Sequence, residues 1–219
     1  MANLDVKIPI LGTGTIQTLN FNEVADGVGL LETFAAKEDT TYTLTTFAPH
    51  SELNTIAESR VIAGTTYTTS GGTVYNFTLG TFQLPKTIKG TAYVESFEDY
   101  SNIAGTATLQ SQLVFALTKN GTEFVSGSTT AVTVPNGGAT SGSIFLKIPI
   151  TTEQKFKRGD QLGMKYYALG KEQSLAGGGT LRTTIGISPL DEDGTNITPS
   201  TNPGMTTITK LRVPIIIYA

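Results

Sequence analysis

Histidine occurs once in this chain, as His50 in "APHSEL", and it is the first residue to weigh for acid–base chemistry. Ser51 stands directly beside it, but a nucleophile and its base are brought together by folding and not by adjacency along the chain. His50 therefore reads as a loop or cap residue. Acidic groups are more numerous, as Glu98-Asp99 in "SFEDYS" and Asp191-Glu192-Asp193 in "LDEDGTN". Glycoside hydrolysis needs two carboxyls facing each other across a sugar, whereas neighbours along a strand or turn point apart. Trp, the usual sugar-stacking residue, is absent, although eight Tyr could take its place. "DEDGTN" also offers Asp191, Asp193 and Asn196 as calcium oxygens. It lacks the later bidentate Glu of a helix–loop–helix calcium site, so an Asp-Gly turn accounts for it.

The glycine-rich stretches "GTGT" (12–15) and "LAGGGTLR" (175–182) fit no phosphate-binding pattern, because neither continues into Gly-Lys-Ser or Gly-Lys-Thr. Both read as loops. "KFKR" (155–158) is a small basic cluster around Phe156 and reads as a solvated lip before Gly159-Asp160. Asn76, Asn120 and Asn196 each begin an Asn-x-Thr triplet, which carries little weight in a chain with roughly one Thr in every six residues. No catalytic, cofactor-binding or metal-ligating residue is assigned from these patterns, and no cofactor is expected.

Composition narrows the function classes further. The net charge is −3 and no basic face stands out, which argues against nucleic acid as a partner. Cysteine is absent, so neither disulfides nor thiolate metal sites are available, and manufacture in a reducing cytosol is the expectation. "MANLDVKIPILGTG" lacks the layout of a signal peptide. No apolar run approaches the ~20 residues of a membrane-spanning helix, so no membrane partner is expected. With 38% hydrophobic residues, 15% charged and 24 Gly, the 219 residues describe a sheet protein with many turns. Thr suits such sheets, since its branched Cβ packs while its hydroxyl can face water.

The elements that would carry any site follow from period-two alternation. It predicts strands over 40–47, 130–134, 142–150, 180–188 and 206–218, and a turn followed by a strand over 156–169. Hairpins are predicted over 65–82, around Ser70-Gly71-Gly72-Thr73, and over 106–127, around Asn120-Gly121. The segments 21–39 and 50–59 read as loop with at most a short helix, Gly27 and Gly29 weakening the first. The polar stretch 188–205 reads as a long surface loop.

Three strands share a signature. Val6, Ile8 and Ile10 face in with Lys7 and Pro9 out; Ile144, Leu146, Ile148 and Ile150 face in with Lys147 and Pro149 out. On the last strand Thr209, Leu211, Val213, Ile215 and Ile217 face in with Lys210, Arg212 and Pro214 out. Proline and lysine are devices for guarding sheet edges, and three guarded edges fit a two-sheet sandwich better than a closed barrel. Chance recurrence of Ile-Pro-Ile in an Ile-rich chain is the alternative. The expectation is an all-β, two-sheet antiparallel sandwich of jelly-roll type with long polar loops. It would form one domain over 1–219, with 1–20 as an N-terminal arm or edge strand.

"KFKRGDQLGMKYYAL", with Gly159, Asp160 and Leu162 entering an amphipathic strand, joins the Thr- and Gly-rich hairpins and the Ile-rich last strand. In this style residues ~60–219 resemble jelly-roll structural proteins of viruses and tailed phages, of the capsid, capsid-decoration or fibre-head type. The resemblance implies a jelly roll, a non-enzymatic virion role, manufacture in the host cytoplasm, and homo-oligomerisation, often as trimers, with other virion shell proteins as partners. The alternative is a carbohydrate- or receptor-binding fibre head that binds host surface glycans. There Tyr100, Tyr166 and Tyr167 would stack on sugar, with Asp191 and Asp193 as polar groups.

Overall fold

A computed structural model of the protein describes residues 28–38, 40–46, 54–69, 72–189 and 208–216. Among these residues twelve strands form one large mixed sheet: β1 (Val28–Glu38), β2 (Thr41–Thr45), β3 (Asn54–Ile62), β4 (Tyr75–Thr78), β5 (Lys86–Gly105) and β6 (Leu109–Lys119). They continue as β7 (Thr122–Ser128), β8 (Val132–Val134), β9 (Ala139–Phe156), β10 (Leu162–Glu172), β11 (Gly179–Pro189) and β12 (Lys210–Ile216). The path runs β3-β11-β5-β12-β1-β2-β4-β10-β6-β7, with β8 beside β6 and β9 beside β5. Pairing is antiparallel except for β1 with β11 and β2 with β4, so the expected wholly antiparallel pairing is corrected.

The sheet has two arms joined through one residue pair, Thr43 with Thr78. One arm holds β9, β5, β11, β3, β12, β1 and β2; the other holds β4, β10, β6, β7 and β8. Polar bonds also tie the arms together. The Tyr75 hydroxyl donates to the Ala57 carbonyl at 2.7 Å, and the Ala168 N–H donates to Glu58 Oε2 at 3.1 Å. On β10, Ile62 fills the space that a Cβ at Gly170 would take, so the two arms meet closely there. Leu113, Phe115 and Leu117 of one arm share a single apolar core with Ile88, Val94, Ile148, Ile185 and Val213 of the other.

Several sequence expectations hold. Asn120, at φ 51°, and Gly121, at φ 79°, make the tight turn between β6 and β7, where positive φ at both positions matches strand twist. β2, β8, β9, β10, β11 and β12 lie where alternation placed them. Others are corrected. The 65–82 segment is not a self-paired hairpin: Thr68 and residues Tyr75–Thr78 both pair with β10 instead. Residues 28–38 and 54–62, read as loop or short helix, are strands β1 and β3. The proposed first strand at 6–10, the arm at 1–20, His50, Asp191–Asp193, Asn196 and Ile217 lie outside the described residues.

The guarded-edge reading divides. Among the described residues β9 pairs only with β5, and both Lys147 and Pro149 are exposed on it, as an edge strand requires. β12 instead lies between β1 and β5, and Pro214 is buried. The β12–β5 register shifts between Arg212 and Ile215, opposite Gly90, whose φ of +118° shapes the irregularity. A proline inside an interior strand is tolerated at such a bulge, where no ladder donor is needed. Lys210 and Arg212 serve there as partners for Glu32 on β1 and Glu95 on β5, Arg212 bonding them at 2.6 and 2.5 Å.

Candidate functional site

Strands β3 and β5 carry polar side chains toward the core. On β5 the inward positions are Ala92, Val94, Ser96, Glu98, Tyr100 and Asn102, all buried. On β3 they are Ile56, Glu58, Arg60 and Ile62. Strand pairing aligns these into rows. Glu58, Thr183, Tyr100 and Thr140 are cross-strand neighbours over β3, β11, β5 and β9; Ile56, Ile185, Glu98 and Gly142 form the next row.

The first row is internally satisfied. Glu58 accepts from Arg60 Nε at 2.6 Å and from Arg60 Nη2, while Arg60 Nη1 donates to the Thr68 carbonyl at 2.8 Å. Burial pushes the Glu58 carboxyl up, and Arg60 opposes that push. With every charge met by a fixed partner, the pair holds β3 against β10 and leaves nothing for chemistry. Tyr166 lies over it, stacked on Tyr75 at 5.9 Å, and burial drives its phenol well above the usual range.

Glu98 differs. Its Oε2 accepts the Tyr100 hydroxyl, and Glu98 makes no other hydrogen bond among the described residues. It lines a cavity of about 320 Å³ with Ser128, Thr129, Thr130, Val132, Ser143, Ile144, Phe145 and Leu146. Gly142 is its cross-strand neighbour, and a Cβ built there would meet nothing within 4 Å. Burial lifts the Glu98 carboxyl to about 7, against a lowering by the Tyr100 hydroxyl. Tyr100 in turn is pushed far above its usual range by burial and the adjacent carboxyl.

A raised carboxyl opposes folding where the unfolded chain has already released its proton. Stability should therefore fall as pH rises from about 4.5 to about 7 and level off above that. The shift corresponds to about 3 kcal/mol, reduced to about 2 kcal/mol by the carboxyl's contact with the open cavity. Tyr100 and Tyr166, the titratable groups facing Glu98, stay protonated throughout this window. Glu98→Gln should raise stability at pH 8 by about 2 kcal/mol and leave it unchanged at pH 4. Urea unfolding at the two pH values checks this, and an equal effect at both would contradict it.

The other sequence candidates are dispersed. Asp99 points away from Glu98, as strand neighbours must. Tyr100 and Tyr166 are 1% and 0% exposed, so they are core residues rather than stacking platforms; Tyr167 is half-buried. Gly177 and Gly178 shape a loop with φ of +91° and +77°, closed where Glu172 accepts the Ala176 N–H at 2.8 Å and the Gly64 N–H at 2.6 Å. In "KFKR" Phe156 is buried against Phe82 and Phe124, with the three basic residues exposed around it. Asp160 accepts from Asn120 Nδ2 and the Lys157 N–H, each at 2.8 Å. These bonds lock the Gly159-Asp160 turn to the Asn120-Gly121 turn and hold its carboxyl down at about 2. Among the described residues no group of three or more His, Cys, Asp or Glu could hold a metal ion, and no helix is long and apolar enough to cross a membrane.

No family model and no curated protein matches the chain. Solved structures do. The chain is similar to an aminopeptidase from a marine sediment archaeon (Thaumarchaeota archaeon), with a TM-score of 0.54, 9% identity and coverage of 87% of this chain and 37% of that one. It is similar to a CocE/NonD family hydrolase from Staphylococcus aureus, with a TM-score of 0.48, 9% identity and coverage of 93% and 39%. A third likeness is to infectious bursal disease virus (Gt strain), with a TM-score of 0.37, 11% identity and coverage of 99% and 42%. The chain thus spans well under half of each. The aminopeptidase likeness is one of fold alone: an all-β body that recurs as part of a larger chain.

Proposed function

We propose that this protein is a non-enzymatic structural subunit that works by self-assembly, as a capsid or capsid-decoration component of a virus particle. The jelly-roll sandwich is the finer fold reading that goes with it. The observation that carries the reading is the outward face of the larger arm. Phe145 on β9 is 58% exposed, Ile103 on β5 is 55% exposed and Val61 on β3 is 72% exposed. Phe145 is held in place by Tyr93, stacked at 5.6 Å and 30°. Large apolar side chains held out on a rigid sheet favour a protein partner over water.

The same face supports a second copy as that partner. Lys210 and Arg212 are neutralised in place by Glu32 and Glu95, which lessens like-charge repulsion where two such faces meet. The edge of β9 that no described strand covers lies beside Phe145 and offers further backbone groups. Repetition over a shell then multiplies a modest contact. The experiment is self-association followed by light scattering. Burying one Phe stabilises by about 1.5–3 kcal/mol, so Phe145→Ser should weaken association at least tenfold and leave unfolding unchanged. Equal association in the two proteins would remove the face from the account.

A further inference from the structure

The cavity at Glu98 borders the outward face, with Phe145 common to both, but ligand binding there does not depend on the assembly reading. We propose that it is a binding site for a neutral hydroxylated ligand the size of one sugar ring, gripped by the Glu98 carboxyl and the hydroxyls of Ser128 and Thr130.

Four observations converge on this chemistry. The volume of about 320 Å³ lies at the small end of the range of about 300–1,000 Å³ for small-molecule sites. The floor is a carboxyl only 7% exposed, with a single bond to Tyr100 fixing one oxygen and leaving the other without a protein partner. That oxygen meets the cavity, where a ligand hydroxyl can take the place of water and donate to it. The rim supplies hydroxyls, which donate and accept alike and so match a polyol better than a one-signed ion.

The remaining walls are apolar. Val132, Ile144 and Leu146 line the inner side and Phe145 stands at the lip. Such a surface packs against the C–H face of a sugar ring. Among the described residues no cationic side chain lines the cavity, so an anionic ligand would meet Glu98 unopposed there. The site is also built where the backbone allows it. Gly142 lies directly across from Glu98, and a Cβ there would meet nothing within 4 Å.

That glycine provides the test. Its φ lies outside the left-handed region, and a Cβ there meets nothing within 4 Å, so Gly142→Val sets apolar bulk across from Glu98 without backbone strain. The full chain is probed by saturation-transfer NMR against millimolar glucose, galactose, mannose and N-acetylglucosamine, with ethylamine as a cationic control. At least one sugar should receive transfer in the native protein, with amide shifts confined to 128–132 and 142–146. Gly142→Val, with an unchanged melting temperature, should reduce that transfer at least tenfold. Transfer to none of the four sugars overturns the proposal, as does transfer undiminished in Gly142→Val. Transfer to ethylamine with none to sugars assigns the site to cations and overturns it too. Because each outcome is read on the dilute chain, it is independent of whether the protein assembles.

Discussion

A chain ended after Lys210 should not fold. Leu211, Val213 and Ile215 are each 0% exposed, and each buried side chain of this kind stabilises by about 1.5–3 kcal/mol. Their loss alone approaches the roughly 5–15 kcal/mol of net stability in an ordinary domain. Their position makes the loss larger. β12 fills the place between β1 and β5, pairing with β1 from Val28 to Phe34 and with β5 from Thr87 to Glu95. Removing it leaves two interior strands with unpaired ladders facing an empty slot. Truncated protein should be insoluble, or lack the native circular dichroism signal if recovered. A soluble truncated chain with a native unfolding transition would contradict this placement of β12.

The second large effect is expected at Arg60. Among the described residues its guanidinium is the sole charged partner of buried Glu58, and removing one member of such a pair typically costs about 3–5 kcal/mol. Arg60→Met should lose about that much in urea unfolding at neutral pH. Burial already pushes the Glu58 carboxyl up, and loss of Arg60 pushes it further. The deficit should therefore shrink as pH falls and the carboxyl takes a proton. Adding Glu58→Gln to Arg60→Met should recover part of the loss, since the stranded charge is gone. A deficit below 1 kcal/mol, or one that grows on acidification, would contradict the buried pair.

These two sites also show where the sequence was readable. The inward row Leu211, Val213 and Ile215 alternates cleanly with Lys210 and Arg212, so both the strand and its buried face were legible. What alternation could not tell is the strand's neighbours. Proline and lysine signal an edge only when the ladder needs every donor, and the bulge opposite Gly90 relaxes that need. β1 was hidden by Thr33, Phe34, Ala35 and Ala36, which are buried in succession and so show no period of two. β3 was hidden by Glu58 and Arg60 on its inward face. In β5, the longest strand, Ser96, Glu98 and Asn102 occupy positions where a core pattern calls for apolar residues. The candidate site was illegible for that same reason, since its residues are the ones that break the pattern.

The Glu98 cavity needed pairing information of another kind. Nothing in "TSGSIF" marks Gly142 as the residue across from Glu98, which lies 44 positions earlier and meets it only through β5–β9 register. The Gly159-Asp160 motif, by contrast, was readable as a turn. Its anchoring to Asn120 joins two loops about 40 residues apart, and only the folded chain brings them together.

Self-assembly through the outward face is the central claim, and the molar mass of the native full chain tests it most directly. Light scattering from micromolar to millimolar concentration should give a mass that rises to a fixed multiple of 23.1 kDa, a trimer being the expected endpoint. A mass that stays at 23.1 kDa across the whole range would contradict it.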